Sequence, residues 1–437
     1  MWSSGTTTCR DSGTGFDVRT CTRAGDTTRR LKETVRPALR DPRWTDARCN
    51  VGDEYAFDVT FPPAQTDGGF PTQWVIALEG GGFCAFDTTS PRGGCGNRAV
   101  DLVSSSTLPA DRATSELAPS APDDFSNAIF VQGQYCSSDL WTGTATTAPD
   151  ITWKGTRVSW RYTGALNVEA MLQALVERYG LDDALALRVL WRGGSAGGFG
   201  AFNNTHRAVR HLPTAAREGR LLIFPAASYV PLEWDDPAYK ALGIGTGLEA
   251  FTTLTSTWHS ALTPQCTATR TEEDAVQCIS GPVLYDLITG PVSEGGFDLP
   301  TLVWQNRQDQ LYMSNSLIPL QSANNTAAEI AVRAKFATTM SGAMGITAPN
   351  TSSRIKWLYA PSDPQVSRPN GSNEPNVHGS MIYIDDPPSG PSNGLNAVLS
   401  RFWNTMLGSG AGRGRRAGEV HTFDCNWVPD RDATGCP

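Results

Sequence analysis

The sequence predicts an α/β protein with a mostly parallel central sheet flanked by helices. Three observations carry that expectation. Val168, Met171, Leu172, Leu175, Val176 and Tyr179 recur at helical spacing and lead into an apolar run over residues 185–191, so a helix feeds a buried strand. Further short apolar runs at 74–78, 128–131, 221–224 and 301–304 are bounded by turn residues, as buried strands are. Gly193-Gly194-Ser195-Ala196-Gly197 then interrupts one such run, and Phe199, Phe202, Val209 and Leu212 behind it fit one face of a new helix. Strand, helix, strand in this order calls for a parallel sheet covered on both faces.

Taken in order, residues 1–48 are rich in Thr, Arg and Asp with little periodicity, and read as an irregular N-terminal extension to a single large domain over 49–437. Residues 55–61 alternate apolar and polar, which predicts a half-exposed strand. The mixed segment 226–300 is the candidate cap over a site, and the basic, glycine-rich stretch 409–418 reads as a mobile surface loop. A net charge of −8, with both signs interspersed, argues against a nucleic-acid surface. No apolar run reaches the ~18 residues that span a bilayer.

The chain has ten cysteines, an even number, and none shows the C-x-x-C spacing of a zinc site. Cys9/Cys21, Cys84/Cys95, Cys266/Cys278 and Cys425/Cys436 form local couples, leaving Cys49 and Cys136 as a long-range pair. Disulfide staples in an oxidising compartment are therefore expected, hence a secreted or periplasmic protein. Met1-Trp2-Ser3-Ser4-Gly5 carries neither the charged nor the apolar region of a signal peptide.

Gly193-x-Ser195-x-Gly197 between strand and helix is the context of a nucleophile elbow. Small flanking residues let the backbone reverse sharply, and the helix N-terminus favours a developing negative charge beside the hydroxyl. A serine needs a base, and the base needs an acid to orient it. Of the five histidines, His206 and His211 fall on the elbow helix, His259 in the mixed segment and His421 near the last cysteine couple. His378, in a polar loop after the last core strand, suits the order Ser, Asp/Glu, His. Asp309 follows the strand at 301–304 and is the expected acid, with Asp363 its competitor. Gly80-Gly81-Gly82, directly after the strand at 74–78, can supply oxyanion-binding amides, with Ala196 giving another.

Leu78-Glu79-Gly80-Gly81-Gly82-Phe83-Cys84, Tyr135-Cys136-Ser137-Ser138-Asp139-Leu140-Trp141-Thr142-Gly143, Gly194-Ser195-Ala196-Gly197-Gly198 and Asn376-Val377-His378 together resemble the pectin acetylesterase/Notum family of serine esterases, across roughly residues 49–385. The resemblance implies an α/β-hydrolase-like fold, a triad of Ser195, Asp309 and His378, and oxyanion donors at Gly81, Gly82 and Ala196. It implies no metal and no cofactor. The expected activity is removal of O-acetyl groups from a polysaccharide by a monomeric enzyme. Two rivals are a lipase-like deacylase of longer acyl chains and an inactive glycan-binding relative. One departure favours short acyl groups. Notum proteins follow the two glycines with a tryptophan that lines an acyl pocket, whereas this chain has Gly82, as plant pectin acetylesterases do. Phe83 stands where those plant enzymes have tryptophan.

Overall fold

The computed structural model describes residues 2–4, 7–9, 22–23, 31–62, 72–89, 94–106, 128–182, 188–232, 247–305, 309, 356–359, 399, 402–403 and 420–423. His378, Asp363, residues 409–418 and Cys21, Cys425 and Cys436 lie outside them. The chain divides into two compact units, residues 1–222 with 257–261 and residues 223–256 with 262–437.

The first unit holds strands β1 (Leu31–Val35), β2 (Phe57–Phe61), β3 (Gln73–Leu78), β4 (Ile129–Gly133) and β5 (Arg188–Gly194) in the order β5-β3-β4-β2-β1. The pairs β5–β3 and β3–β4 are parallel, while β4–β2 and β2–β1 are antiparallel. Strand β5 is buried along almost its whole length, as a parallel strand covered on both faces must be. The strand continues past the apolar run because its register with β3 does: Arg188 pairs with Gln73 and Gly193 with Leu78. The observed strand therefore ends three residues beyond the expected one. Leu31–Val35, inside the stretch expected to be irregular, is an edge strand of this sheet.

Two helices are expected from the sequence pattern, and the second is found broken in two. Helix α1 (Gly164–Tyr179) buries Val168, Met171, Leu172, Leu175 and Tyr179 on one face. It ends at Gly180, whose φ of 67° allows its N–H to close the last turn on the Leu175 and Val176 carbonyls. Helix α2 (Ala196–Asn203) follows β5 directly, and α3 (Thr205–His211) continues it after a break. At the break, Asn204 Nδ2 donates to the Gly200 and Trp141 carbonyls, 2.9 Å each. That competition ends α2 where spacing alone predicts one continuous helix.

The chain enters the second unit within β6 (Leu221–Ala226). There β6, β7 (Thr301–Trp304), β8 (Lys356–Tyr359) and β9 (Val420–Phe423) lie in the order β9-β8-β7-β6, all parallel. Helices α4 (Gly247–Trp258) and α5 (Gly281–Thr289) account for part of the mixed segment, which returns to the first unit over 257–261. The architecture is α/β-hydrolase-like, and three of the expected disulfides are present: Cys49–Cys136, Cys84–Cys95 and Cys266–Cys278. Among the described residues no helix is long and apolar enough to cross a membrane.

Candidate active site

Three neighbouring strands of the first unit finish level with one another: Gly193 pairs with Leu78, and Leu78 with Gly133. Whatever follows each strand must therefore emerge at one edge of the sheet, where open α/β folds place their ligands. Three segments do: the elbow after β5, the glycine loop after β3, and residues 134–143 after β4.

At the elbow, half-buried Ser195 takes φ 56° and ψ −123°, a conformation that costs a non-glycine residue about 1–3 kcal/mol. The surrounding glycines make it attainable. A Cβ on Gly193 would lie 2.0 Å from the Gly197 carbonyl oxygen, and one on Gly197 would lie 1.9 Å from that of Leu78. Ser195 occupies the N-cap of α2, yet its side chain makes no capping hydrogen bond. The hydroxyl thus stands at a helix N-terminus without being used to close it, and Ala196 opens the first turn with its N–H unclaimed by the helix.

The glycine loop passes close to this serine. A Cβ on Gly80 would sit 2.8 Å from the Gly194 oxygen and 3.3 Å from Ser195 Cβ. Gly81 and Gly82 follow at φ +143° and +68°, so their peptides turn in ways other residues adopt only under strain. Phe83, half-buried, meets the Trp258 ring nearly edge-on with centroids 5.8 Å apart, and Trp258 Nε1 donates to the Cys84 carbonyl at 2.9 Å.

Residues 134–143 hold that loop in place. The Glu79 carboxylate accepts from the Tyr135 N–H at 3.0 Å and from Gln132, while its carbonyl accepts from Trp141 Nε1 at 3.0 Å. The Cys84 N–H donates to the Ser138 carbonyl at 3.0 Å. Ser138, Leu140 and Trp141 all adopt positive φ, 53°, 55° and 64°, and hydrogen bonds fix them there. Asp139, fully buried, accepts from Ser137 Oγ (2.7 Å), the Trp141 N–H (3.0 Å) and the Gly164 N–H (2.7 Å). It therefore closes the strained turn and caps α1 at once. Burial raises its pKa to about 6 in spite of those donors. Asn50 ties in the neighbouring chain, donating to the Ser137 carbonyl at 2.8 Å and accepting from Ser138 Oγ at 2.7 Å. The motif was visible in the sequence; the role of Asp139 as a buried acceptor was not.

In the second unit Asp309 is described and fully buried. Gln305 Nε2 donates to its Oδ2 at 3.0 Å, and Gln305 Oε1 accepts from the Tyr229 N–H at 2.9 Å. A carboxylate just past the end of β7 is thus held in a fixed orientation. His206 is buried on α3, and burial with Arg207 and Arg210 nearby pushes its pKa down to about 3, so it stays neutral. His211 Nε2 lies 2.6 Å from Glu169 Oε1 on α1. In the first unit the structure brings Gly80, the residue before Gly81 and Gly82, close to Ser195, the residue before Ala196, and in the second it anchors Asp309. Among the described residues no cluster of His, Cys, Asp or Glu is placed to hold a metal ion.

Known proteins resemble this chain. The chain is similar to the palmitoleoyl-protein carboxylesterase NOTUM of Drosophila melanogaster, 32% identical over 166 residues, which is 37% of this chain and 23% of that protein. With notum2 of Xenopus laevis it shares 27% identity over 265 residues, 57% of this chain and 49% of that one. The chain thus spans between 23% and 49% of the length of these curated relatives. The solved structure of the Wnt deacylase Notum from Drosophila superimposes with a TM-score of 0.62 at 22% identity, covering 87% of this chain and 96% of that one; the shared feature is the fold. A sequence model of the pectinacetylesterases matches residues 36–344, a span holding both the elbow and Asp309. The chain belongs to the pectinacetylesterase family.

Proposed function

We propose that the protein is a secreted serine carboxylic-ester hydrolase that removes O-acetyl groups from a polysaccharide. The observation that carries this reading is the close approach of Gly80 to the elbow, where a Cβ on Gly80 would lie 3.3 Å from Ser195 Cβ, so that a glycine loop runs past a serine on a strained elbow. Ser195 Oγ attacks the acyl carbonyl while His378 takes its proton. The tetrahedral intermediate carries a negative oxygen, held by the amides of Gly81, Gly82 and Ala196. It collapses with loss of the sugar hydroxyl, which leaves with the proton from His378. Water then attacks the acyl-enzyme by the same route, releasing acetate and restoring Ser195. Asp309 keeps the imidazole in the required tautomer and stabilises its charged form. The buried Gln305–Asp309 pair supports that assignment, since an orienting acid must itself be fixed. Three disulfides support an exported protein.

A preference for acetyl groups rests on Gly82. Its φ of +68° disfavours any side chain, and among the described residues a Cβ there would meet only Arg98 Nη1, 3.7 Å away. Gly82 itself offers no side-chain wall to gather about 0.8 kcal/mol from each buried CH₂ of a longer chain. The relatives named as palmitoleoyl-protein carboxylesterases point to a second reading, a long-chain deacylase. The Phe83–Trp258 pair is the apolar surface that favours it. A nitrophenyl ester series decides between the two. The acetylesterase reading expects kcat/KM to peak at two to four carbons and acetate to be released from acetylated glycans, whereas an optimum at eight carbons or more selects the deacylase. In either case Asp309→Asn keeps the fold and lowers kcat by about 10⁴-fold. A larger loss in Asp363→Asn moves the role of the acid to Asp363.

A further inference from the structure

Arg98 lies outside the triad, the oxyanion donors and every motif that marks the family resemblance, yet its side chain is tied to the glycine loop. Its Nη1 donates to the Gly81 carbonyl at 2.7 Å, and its Nε donates to Ser138 Oγ at 3.1 Å. One guanidinium therefore joins the glycine loop to the strained segment after β4. Its backbone is secured as well. The Arg98 N–H donates to the Cys95 carbonyl at 3.1 Å, and Trp153 Nε1 donates to the Arg98 carbonyl at 2.9 Å. The Cys84–Cys95 disulfide, spanning 11 residues, then connects that turn to the end of the glycine loop.

Two physical points give this contact a consequence. In a trans peptide the carbonyl and the following N–H point in opposite directions. A donor that captures the Gly81 carbonyl thereby fixes the direction of the Gly82 N–H, in a stretch whose two glycines would otherwise let that peptide rotate. The second point is charge. The hydrogen-bond acceptors of its Nη1 and Nε are a carbonyl and a hydroxyl, with the Asp101 carboxylate near enough to attract the charge. Burial lowers its pKa from the ordinary arginine value, and a guanidinium stays protonated in proteins. Keeping a cation in a partly buried place with neutral hydrogen-bond acceptors is costly. Placed behind the peptide, that charge polarises it and strengthens its N–H as a donor.

We propose that Arg98 is a positioning residue for the ester-hydrolysis reaction, orienting and polarising the Gly81–Gly82 peptide so that its N–H receives the oxyanion. The inference rests on the esterase reading above and deepens it. Because the peptide acts on the tetrahedral oxygen rather than on the bound ester, losing Arg98 lowers kcat and leaves KM nearly unchanged. The effect should fall below the cost of deleting a donor outright, about 10²–10³-fold.

The test compares the wild-type chain, Ser195→Ala, Arg98→Met and Arg98→Lys. Readouts are kcat and KM for nitrophenyl acetate, thermal unfolding, and the Ki of a trifluoromethyl ketone whose adduct oxygen mimics the oxyanion. Arg98→Met is expected to lose about ten- to a hundredfold in kcat, to lose ketone affinity in proportion, and to keep KM within about threefold. Arg98→Lys, which retains a cationic donor, recovers part of both. If Arg98→Met does not fold, the lysine variant carries the test through the same parallel loss in kcat and ketone affinity. Wild-type kcat and ketone affinity in whichever variant folds overturn the inference, as does a rise in KM that accounts for the loss. Full activity in Ser195→Ala is a different failure: it removes the esterase reading, and this inference with it.

Discussion

The glycine loop and residues 134–143 leave neighbouring parallel strands at one edge of the sheet, and both enter the left-handed backbone region. They do so by different means. Gly81 and Gly82 go there without a side chain to clash, and the Arg98 contact directs one of their peptides. Ser138, Leu140 and Trp141 go there against their preference, held by Asp139, by the Tyr135 hydroxyl that accepts from the Leu140 N–H at 2.7 Å, and by Asn50. The difference separates a surface that must offer its amides from the scaffold that keeps it still. In the scaffold, strain of about 1–2 kcal/mol per residue is offset by buried hydrogen bonds. In the loop, strain is avoided, because any side chain would obstruct what the backbone has to present.

Variants can break that contrast. The largest effect is expected from Asp139→Ala, which leaves one hydroxyl and two amide donors buried without their acceptor. At about 1–3 kcal/mol for each, denaturant unfolding should show a loss of about 5 kcal/mol. Replacing Cys49 and Cys136 together by serine follows. Their separation of 87 residues gives a stabilisation of about 4–5 kcal/mol in the chain-entropy model, so the midpoint in urea should fall almost as far. Titration of Asp139 ranks third. A folded pKa of about 6 exceeds the unfolded value of about 3.9, so the folded state binds more protons between those values. Its ionisation therefore destabilises the fold as pH rises from about 4 to 6, by about 3 kcal/mol. The stability difference between wild type and Asp139→Asn, followed across that window, should shift against the wild type as pH increases. The smallest effect belongs to the glycine loop: Gly82→Ala should cost about 1 kcal/mol of stability, while ester turnover falls by a larger factor than that strain alone explains.

The sequence showed the presenting side of this contrast and hid most of the supporting side. Gly193, Ser195 and Gly197 were legible because a backbone that approaches another at 1.9–2.0 Å from a would-be Cβ admits only glycine, and glycines at fixed spacing stand out. The core strands β3, β4 and β5 were legible as continuous apolar runs, and Cys49–Cys136 by elimination once the local couples were set aside. Asp309 stood out as a carboxylate after a strand, although nothing in its neighbours announced Gln305 as its holder. Arg98, Glu79 and Asp139 act on backbone groups up to 56 residues away, and no local periodicity encodes such a partner. Strand β1 reads Leu-Lys-Glu-Thr-Val, too polar to be recognised without its antiparallel neighbour β2. Trp258 belonged to a segment with no clean pattern, and its contact with Phe83 depends on the chain returning to the first unit.

The central claim, that the elbow serine is the nucleophile, is tested most directly by covalent labelling. The protein is treated with a fluorophosphonate, which reacts with activated serine hydroxyls, and the modified peptide is mapped by mass spectrometry. The account predicts one adduct per chain, on Ser195, with ester hydrolysis lost in step with labelling and no adduct in Ser195→Ala. Labelling of a different serine, or hydrolysis that survives complete modification of Ser195, would contradict it.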